Sequence, residues 1–299
     1  MALRVAFFGL PLAALLLDQD GHTLELVALP YAHAVGRRRA TRVFGSDRVW
    51  IAPKAKDPRL LARVIDLRAD LLVSWFWTTR LPVSLLCAPR LGAIGAHPSL
   101  LPRHRGPDPT FWTIAMGDTE TGVTVHRLTE EYDAGAILAQ EPLPVDPTWN
   151  AWQLARALDR PSLRLLRATV ARLARGENIE GLPQDSSLAT AAPFPDDATC
   201  AIRWTWGTDR VLRHIRALAP APGAWTEVAG TVLTIQQAAI ALDFPPILAP
   251  GDGAVVGERV IVGSGDGAVE VLAGEIDGAR ASTGEIAALF VRHHDAMLD

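Results

Sequence analysis

Short, nearly unbroken apolar runs recur in the first part of the chain with polar turns between them. They are Leu3 to Phe8, Leu24 to Leu29, Val49 to Ile51 and Leu71 to Trp75, and a further run ends at Ala93 and Ile94. Runs without alternation predict strands buried on both faces. Pro58 to Asp66 has apolar residues at helical spacing and a proline in its first turn, which predicts a helix. Gly9 to Pro11 reads as a loop leading into another helix. Such alternation predicts a parallel sheet covered by helices, with ligands at the carboxyl ends of its strands. The run Val5 to Leu17 after Arg4 also looks like a short signal sequence. It is too short to span a bilayer, and Asp18-Gln19-Asp20 follows instead of a small-residue cleavage site, so strand, loop and helix is the better reading. No other segment reads as a membrane helix, and a soluble, cytoplasmic chain without membrane contact is expected.

After Ile94 the pattern changes. Gly95 to His97 reads as a turn, Pro98 to Pro102 as a proline-rich loop, Arg103 to Gly106 as a basic turn and Phe111 to Met116 as a helix. Alternation from Val123 to Leu128, an acidic loop from Thr129 to Gly135 and a second run from Ala136 to Gln140 predict a β-hairpin. Pro147 to Gly176 is helical, with Leu163, Leu166, Val170 and Leu173 on one face, arginines on the solvated side, a break at Pro161 and a stop at Gly176. The stretch 181–199 is polar and proline-rich, as a linker would be. Beyond it come a short helix, Asp209 to Leu218, and strand-like runs at Val232 to Ile235, Gly253 to Val256, Val260 to Val262 and Val269 to Leu272, punctuated by Gly-Asp-Gly turns. Several short strands predict a small β-barrel.

Composition narrows the classes. The chain has 299 residues, enough for one large domain or two ordinary ones, and is 49% hydrophobic and 21% charged, which excludes a disordered chain. A net charge of -4 gives no global case for nucleic-acid binding but leaves room for a local basic patch. Cys87 and Cys200 lack metal-ligand spacing and read as structural thiols, so no metal site is expected. Neither GxGxxG nor GxxxxGK[ST] occurs, which leaves nucleotide phosphate binding without local support. Gly36 to Arg42 carries Arg37, Arg38, Arg39 and Arg42 and reads as a loop, either solvated or contacting phosphate.

The chemistry concentrates between Leu91 and Gln140. His97 stands at a strand end and Asp133 in the hairpin loop, an imidazole and a carboxylate that suit a base and its orienter. Alone, His97 would be a turn histidine and Asp133 a solvated acid. His22, His33, His104 and His126 lack such a context and read as surface or structural.

The motifs His97-Pro-Ser-Leu-Leu-Pro102 with Arg105-Gly106, Glu120-Thr-Gly-Val-Thr124 and Asp133-Ala-Gly-Ala-Ile-Leu138 together resemble the formyltransferase family. The resemblance implies transfer of a formyl group from 10-formyltetrahydrofolate to a primary amine. It implies an active site of Asn-x-His plus a later Asp, on which His97 and Asp133 match while Gly95 stands at the Asn position. Loss of one such donor can cost about 3 kcal/mol of transition-state stabilisation. A water in the vacated space, a side chain such as His104, or a site that no longer transfers formyl groups all fit the sequence. The implied folate pocket involves Trp77, Ser99, Leu100, Leu101, Pro102, Glu130, Glu131 and Tyr132, while Trp75 and Phe76 read equally well as core.

The segment Arg216 to Ala224 resembles the one that introduces the C-terminal barrel of the methionyl-tRNA formyltransferases in that family. The resemblance therefore spans nearly the whole chain. It implies a Rossmann-like formyltransferase domain over 1–176, a linker over 177–200 and an OB-like β-barrel over 201–299. Those relatives carry a basic loop near Arg37–Arg42 that contacts tRNA, which makes these arginines acceptor-binding candidates. The barrel's arginines, Arg259, Arg280 and Arg292, are scattered, which weakens tRNA as the acceptor against a small-molecule amine. A folate-binding homologue without transferase activity, acting as sensor or scaffold, and a 10-formyltetrahydrofolate hydrolase are the alternative readings.

Overall fold

The computed structural model describes residues 1–296, with side chains as far as Val291. Arg292, named above, has its side chain outside the described residues. Two compact units divide the chain: Met1–Pro109, Glu120–Pro144 and Ala157–Ala192 form one, and Thr110–Thr119, Val145–Arg156 and the chain from Pro193 form the other.

The first unit begins β1 (Arg4–Gly9), α1 (Pro11–Gln19), β2 (Thr23–Leu29), α2 (Arg37–Phe44), β3 (Val49–Ile51), α3 (Pro58–Asp66), β4 (Leu71–Trp75), α4 (Val83–Leu86) and β5 (Ala93–His97). After α5 (Pro109–Met116) the hairpin β6 (Glu120–Arg127) and β7 (Ile137–Pro144) returns to the same sheet, followed by α6 (Ala151–Ala174). The sheet order is β3-β2-β1-β4-β5-β6-β7, parallel from β3 to β5 and antiparallel beyond. Both faces are buried. Val5 and Phe7 pack with α1, α2 and α6 on one side, and Ala6 and Phe8 pack with α3 and α4 on the other. This explains the apolar runs without alternation. The order reverses between β1 and β4, where open α/β sheets place their crevice.

Three local readings are corrected. Arg37–Arg42 lies in helix α2 and not in a loop, because Ala40 and Phe44, one turn apart, are buried in the core while Arg38, Arg39 and Arg42 face outward. Pro161 does not break α6. The buried series Leu158, Ser162, Leu166 and Val170 holds the helix continuous across it, so packing outweighs the roughly 3 kcal/mol that an interior proline costs. Strand β5 starts at Ala93 and runs through Gly95 to His97, so these residues form no turn. Pairing with β4 on one side and β6 on the other makes them strand. The polar stretch after Gly176 is also bonded into the first unit: Ile137 bridges to Leu182, Arg105 to Ala191, and Ala192 N–H donates to the Arg105 carbonyl at 2.7 Å.

The second unit holds α5 from Thr110, the start of α6 as far as Arg156, α7 (Asp197–Cys200), α8 (Thr208–Leu218), β8 (Ala224–Val228), β9 (Thr231–Ile240), β10 (Gly253–Val256), β11 (Arg259–Gly263), β12 (Ala268–Ile276), β13 (Ala279–Ala281) and α9 (Thr283–Ala296). Its antiparallel sheet runs β10-β11-β12-β9-β8, with β13 on β12, and α8 and α9 pack on it. Val211, Ile215 and Leu218 of α8 and Ile286 and Leu289 of α9 are buried.

Candidate active site

The hairpin β6–β7 sets the site. Antiparallel pairing places His126 opposite Gly95 and Thr124 opposite His97. Cross-strand partners share a face, so His126 and His97 project to the same side of the sheet as the Cβ that Gly95 lacks. Asp133, at the hairpin tip, sits between the two rings. Its Oδ2 is 3.5 Å from His97 Nδ1 and its Oδ1 is 3.5 Å from His126 Nε2, while Gly106 N–H donates to Oδ2 at 2.9 Å. A Cβ on Gly106, at φ +133, would lie 2.6 Å from the Ala192 carbonyl oxygen, so glycine is required for that donor to reach the carboxylate.

The far side of each ring fixes its tautomer. His97 Nε2–H donates to the His104 carbonyl at 2.8 Å, and His126 Nδ1–H donates to the Arg127 carbonyl at 2.9 Å. In their neutral forms both rings therefore turn a bare nitrogen toward Asp133. Three acceptors converge, and one proton added among them creates hydrogen bonds where there was lone-pair repulsion. Burial, against the pull of Asp133, holds the His126 pKa at about 4, so His126 stays neutral near pH 7.

The loop carrying Asp133 is clamped by residues that the sequence reading did not single out for the site. Gln184 Nε2 donates to the carbonyls of Asp133 and Gly135, both at 2.7 Å, and its Oε1 accepts from Arg105 Nε at 2.9 Å and Nη2 at 2.8 Å. Thr190 Oγ1 accepts from His104 N–H at 2.8 Å. Phe76, His104 and Asp133 all have positive φ (57, 58 and 52°). Strained backbone of this kind gathers at functional sites when surrounding bonds enforce it.

A cavity enclosing about 140 Å³, within a cleft of about 1050 Å³ counting its mouth, adjoins these groups. His97, His126, Asp133, Gly95, Trp77, Glu130, Glu131 and Tyr132 line it, with Ser162 of α6. The Trp77 indole N–H is buried there without a hydrogen-bond partner. Such an orphan donor costs free energy until a ligand acceptor meets it. Tyr132 O–H donates to the Thr78 carbonyl at 3.3 Å, and the Arg80 guanidinium lies 4.7 Å from its ring centre. Trp75 is 3% exposed and donates to Ser162 Oγ at 2.9 Å, so it is core, whereas Phe76 reaches the cavity.

Several expected site residues lie elsewhere. Ser99, Leu100, Leu101 and Pro102 do not line the cavity. They shape the loop behind His97: Ser99 Oγ–H donates to the Arg103 carbonyl at 2.7 Å, and Thr124 Oγ1 donates to the Ser99 carbonyl while accepting from Leu101 N–H. Arg37, Arg38, Arg39 and Arg42 are also outside the cavity wall. His104 serves the site through its backbone carbonyl, its imidazole lying 3.4 Å from Thr190 Oγ1. His126, set aside on sequence grounds, is in the constellation. Its signal was the alternation Val123-Thr-Val-His126, which puts it on the face of Thr124. The space at Gly95 is filled by a neighbour, since a Cβ there would lie 2.8 Å from Leu128 Cδ2.

Known proteins share this architecture. A formyl transferase family model matches residues 32–170, and the model of the formyl transferase C-terminal domain matches residues 196–288. The methionyl-tRNA formyltransferase of Synechococcus sp. (strain JA-3-3Ab) is 34% identical over 300 aligned positions, covering 93% of this chain and 92% of its own. That of Syntrophus aciditrophicus is 36% identical, covering 77% and 72%. Among solved structures, HypX of Aquifex aeolicus in complex with tetrahydrofolic acid aligns with a TM-score of 0.66 at 19% identity, over 98% of this chain and 48% of that one. An N-formyltransferase of Helicobacter canadensis, in complex with folinic acid and dTDP-3-aminofucose, aligns at 0.68 and 15% identity over 90% and 98%. By sequence, over nearly its full length, this chain belongs to the formyltransferase family.

Proposed function

We propose that this chain transfers the formyl group of 10-formyltetrahydrofolate to a primary amine, with His97 and Asp133 as the proton acceptor and its partner. The observation that carries the reading is the convergence of three proton acceptors, His97 Nδ1, Asp133 and His126 Nε2, beside a cavity. An amine attacking the formyl carbon forms a C–N bond and a tetrahedral oxyanion. The nitrogen must then shed a proton before the folate nitrogen leaves. His97 takes that proton and Asp133 stabilises the resulting imidazolium. The orphan Trp77 N–H offers a donor to the polar edge of a pterin. Glu130, Glu131 and Tyr132 from the hairpin tip form the opposite lip.

Methionyl-tRNA is the acceptor best supported by the named relatives. The outward arginines of α2, Arg38, Arg39 and Arg42, suit phosphate contact with it. One observation favours a second reading. Leu128 fills the space at Gly95 where the family sets an amide donor to the formyl oxygen, and a folate-binding homologue that performs no transfer needs no such donor.

The test is titration with a stable 10-formyltetrahydrofolate analogue, followed by turnover with methionyl-tRNA, for wild type, His97→Ala and Asp133→Asn. Binding by all three and turnover by wild type alone is the expected result. Formate release without any amine selects the hydrolase. Failure of the wild type to bind the analogue overturns the donor assignment.

A further inference from the structure

Strand β4 carries one polar residue in an otherwise apolar run, Leu71-Leu72-Val73-Ser74-Trp75, and the strand is buried on both faces. A polar side chain in such a place needs a hydrogen-bond partner. Ser74 is 9% exposed. Its hydroxyl has no partner among the described residues and keeps accessible surface, which opens on the cavity that Ser74 lines. A hydroxyl desolvated in this way costs free energy until a ligand atom meets it.

Strand register fixes what that hydroxyl stands beside. Ser74 pairs with Gly95 across β4 and β5, and Gly95 pairs with His126 across β5 and β6. The three form one row across the sheet. Leu72 and Ala93, two residues before Ser74 and Gly95, pack with α3 and α4, so the row lies on that side, and His97, two residues after Gly95, shares it. The middle of the row has no side chain. A Cβ at Gly95 would lie 3.7 Å from Ser74 Cβ and 2.8 Å from Leu128 Cδ2. Leu128 brings only carbon, and the His126 N–H is spent on the Arg127 carbonyl. In this row the Ser74 O–H is therefore the side-chain donor left for a ligand. Ser162, the other serine of the cavity wall, comes from α6 on the opposite side and accepts from the Trp75 N–H at 2.9 Å.

An amine adding to a formyl carbon puts negative charge on the formyl oxygen, which needs a donor already in place. We infer that Ser74 is that donor, its O–H hydrogen-bonded to the formyl oxygen of the bound folate on the same side of the sheet as His97. The inference rests on the formyl-transfer reading and adds a catalytic residue to it. The amine nitrogen bonds to the formyl carbon, and the carbonyl pair moves onto the oxygen, where Ser74 stabilises it without giving up its own proton. His97 takes the amine proton. The pair then returns, the bond from the carbon to the folate nitrogen breaks, and that nitrogen leaves with the proton held by His97. An amide restored at position 95 would be a second donor beside the hydroxyl, not its replacement.

The experiment uses the full chain. Single-turnover formyl transfer to methionyl-tRNA and calorimetric binding of tetrahydrofolate, which has no formyl oxygen, are measured for wild type, Ser74→Ala and Ser74→Cys. Ser74→Ala should lose about a hundredfold or more in transfer rate, as removal of one oxyanion donor does. Ser74→Cys fills the same space with a weak donor, so a comparable loss there ties the effect to the O–H and not to a void. Tetrahydrofolate affinity should be unchanged in both. An active wild type with Ser74→Ala within about threefold of it, or with Ser74→Cys fully active, overturns this inference and leaves the formyl-transfer reading standing. Tetrahydrofolate binding lost together with transfer also overturns it, since the hydroxyl would then serve the pterin and not the formyl oxygen. A wild type that transfers no formyl group overturns that reading and this inference with it.

Discussion

Gln184 lies far in sequence from His97 and Asp133, and its replacement tests whether the hairpin tip is held in place for chemistry. Its side-chain amide donates to two backbone carbonyls of the tip, those of Asp133 and Gly135, and its oxygen receives two bonds from Arg105. Asp133 meanwhile sits at φ +52°, a conformation that costs of order 1–3 kcal/mol and relaxes if released. At about 1 kcal/mol net for each neutral bond, losing the two bonds to the tip removes about 2 kcal/mol from the productive loop conformation. That corresponds to a roughly thirtyfold fall in its population and in kcat/KM. Gln184→Ala should show this loss in formyl transfer to methionyl-tRNA, measured under single-turnover conditions. Gln184→Glu should do no better, although it keeps an oxygen for Arg105, because it turns an acceptor toward two carbonyls. Affinity for a folate analogue should change much less than turnover, since Gln184 does not line the cavity. Turnover within threefold of wild type in Gln184→Ala would refute the claim that this clamp sets the position of Asp133.

Much of the sheet was readable because its strands are buried on both faces, and unbroken runs such as Leu71 to Trp75 have few other uses. The hairpin was readable from alternation bounded by an acidic turn, and with it came His97 and Asp133. Three classes of feature were not readable. The first is local preference overridden by packing: Pro161 inside α6, and the arginine-rich α2, which is helical because Ala40 and Phe44 are buried. The second is contact across long separations, such as Gln184 on the Asp133 loop, which no local pattern encodes. The third is cross-strand register. His126 becomes a site residue only because the register of β5 with β6 places it opposite Gly95. A register one residue different would have turned it to the other face. Strand β13 and helix α9 fall in a stretch whose three-residue strand and polar start leave too little pattern to detect.

The remaining predictions concern groups around the same cavity. His126 has its pKa lowered from 6.5 to about 4 by burial, so the unfolded chain binds more protons between those values. Stability should therefore be complete above about pH 6.5 and fall as the pH drops toward 4, by up to about 3 kcal/mol. Urea midpoints measured across that window should flatten in His126→Gln, and an unchanged slope would refute the assignment. Trp77→Phe breaks no hydrogen bond in the free protein and keeps an aromatic ring against Phe8, so the variant should still fold. It should weaken binding of the folate analogue about tenfold, as loss of one buried hydrogen bond requires, and unchanged affinity would place the pterin elsewhere. The last prediction addresses Gly95. In Gly95→Asn the new Cβ meets Leu128 Cδ2 at 2.8 Å, so Leu128 must turn away before the amide can face the cavity. The single variant should therefore gain little transfer activity. Gly95→Asn/Leu128→Ala, which opens that space, should gain up to the roughly hundredfold that one oxyanion donor supplies. If the double variant gains no more than the single one, Leu128 is not what stands in the place of the missing amide, and another group must already be donating to the formyl oxygen.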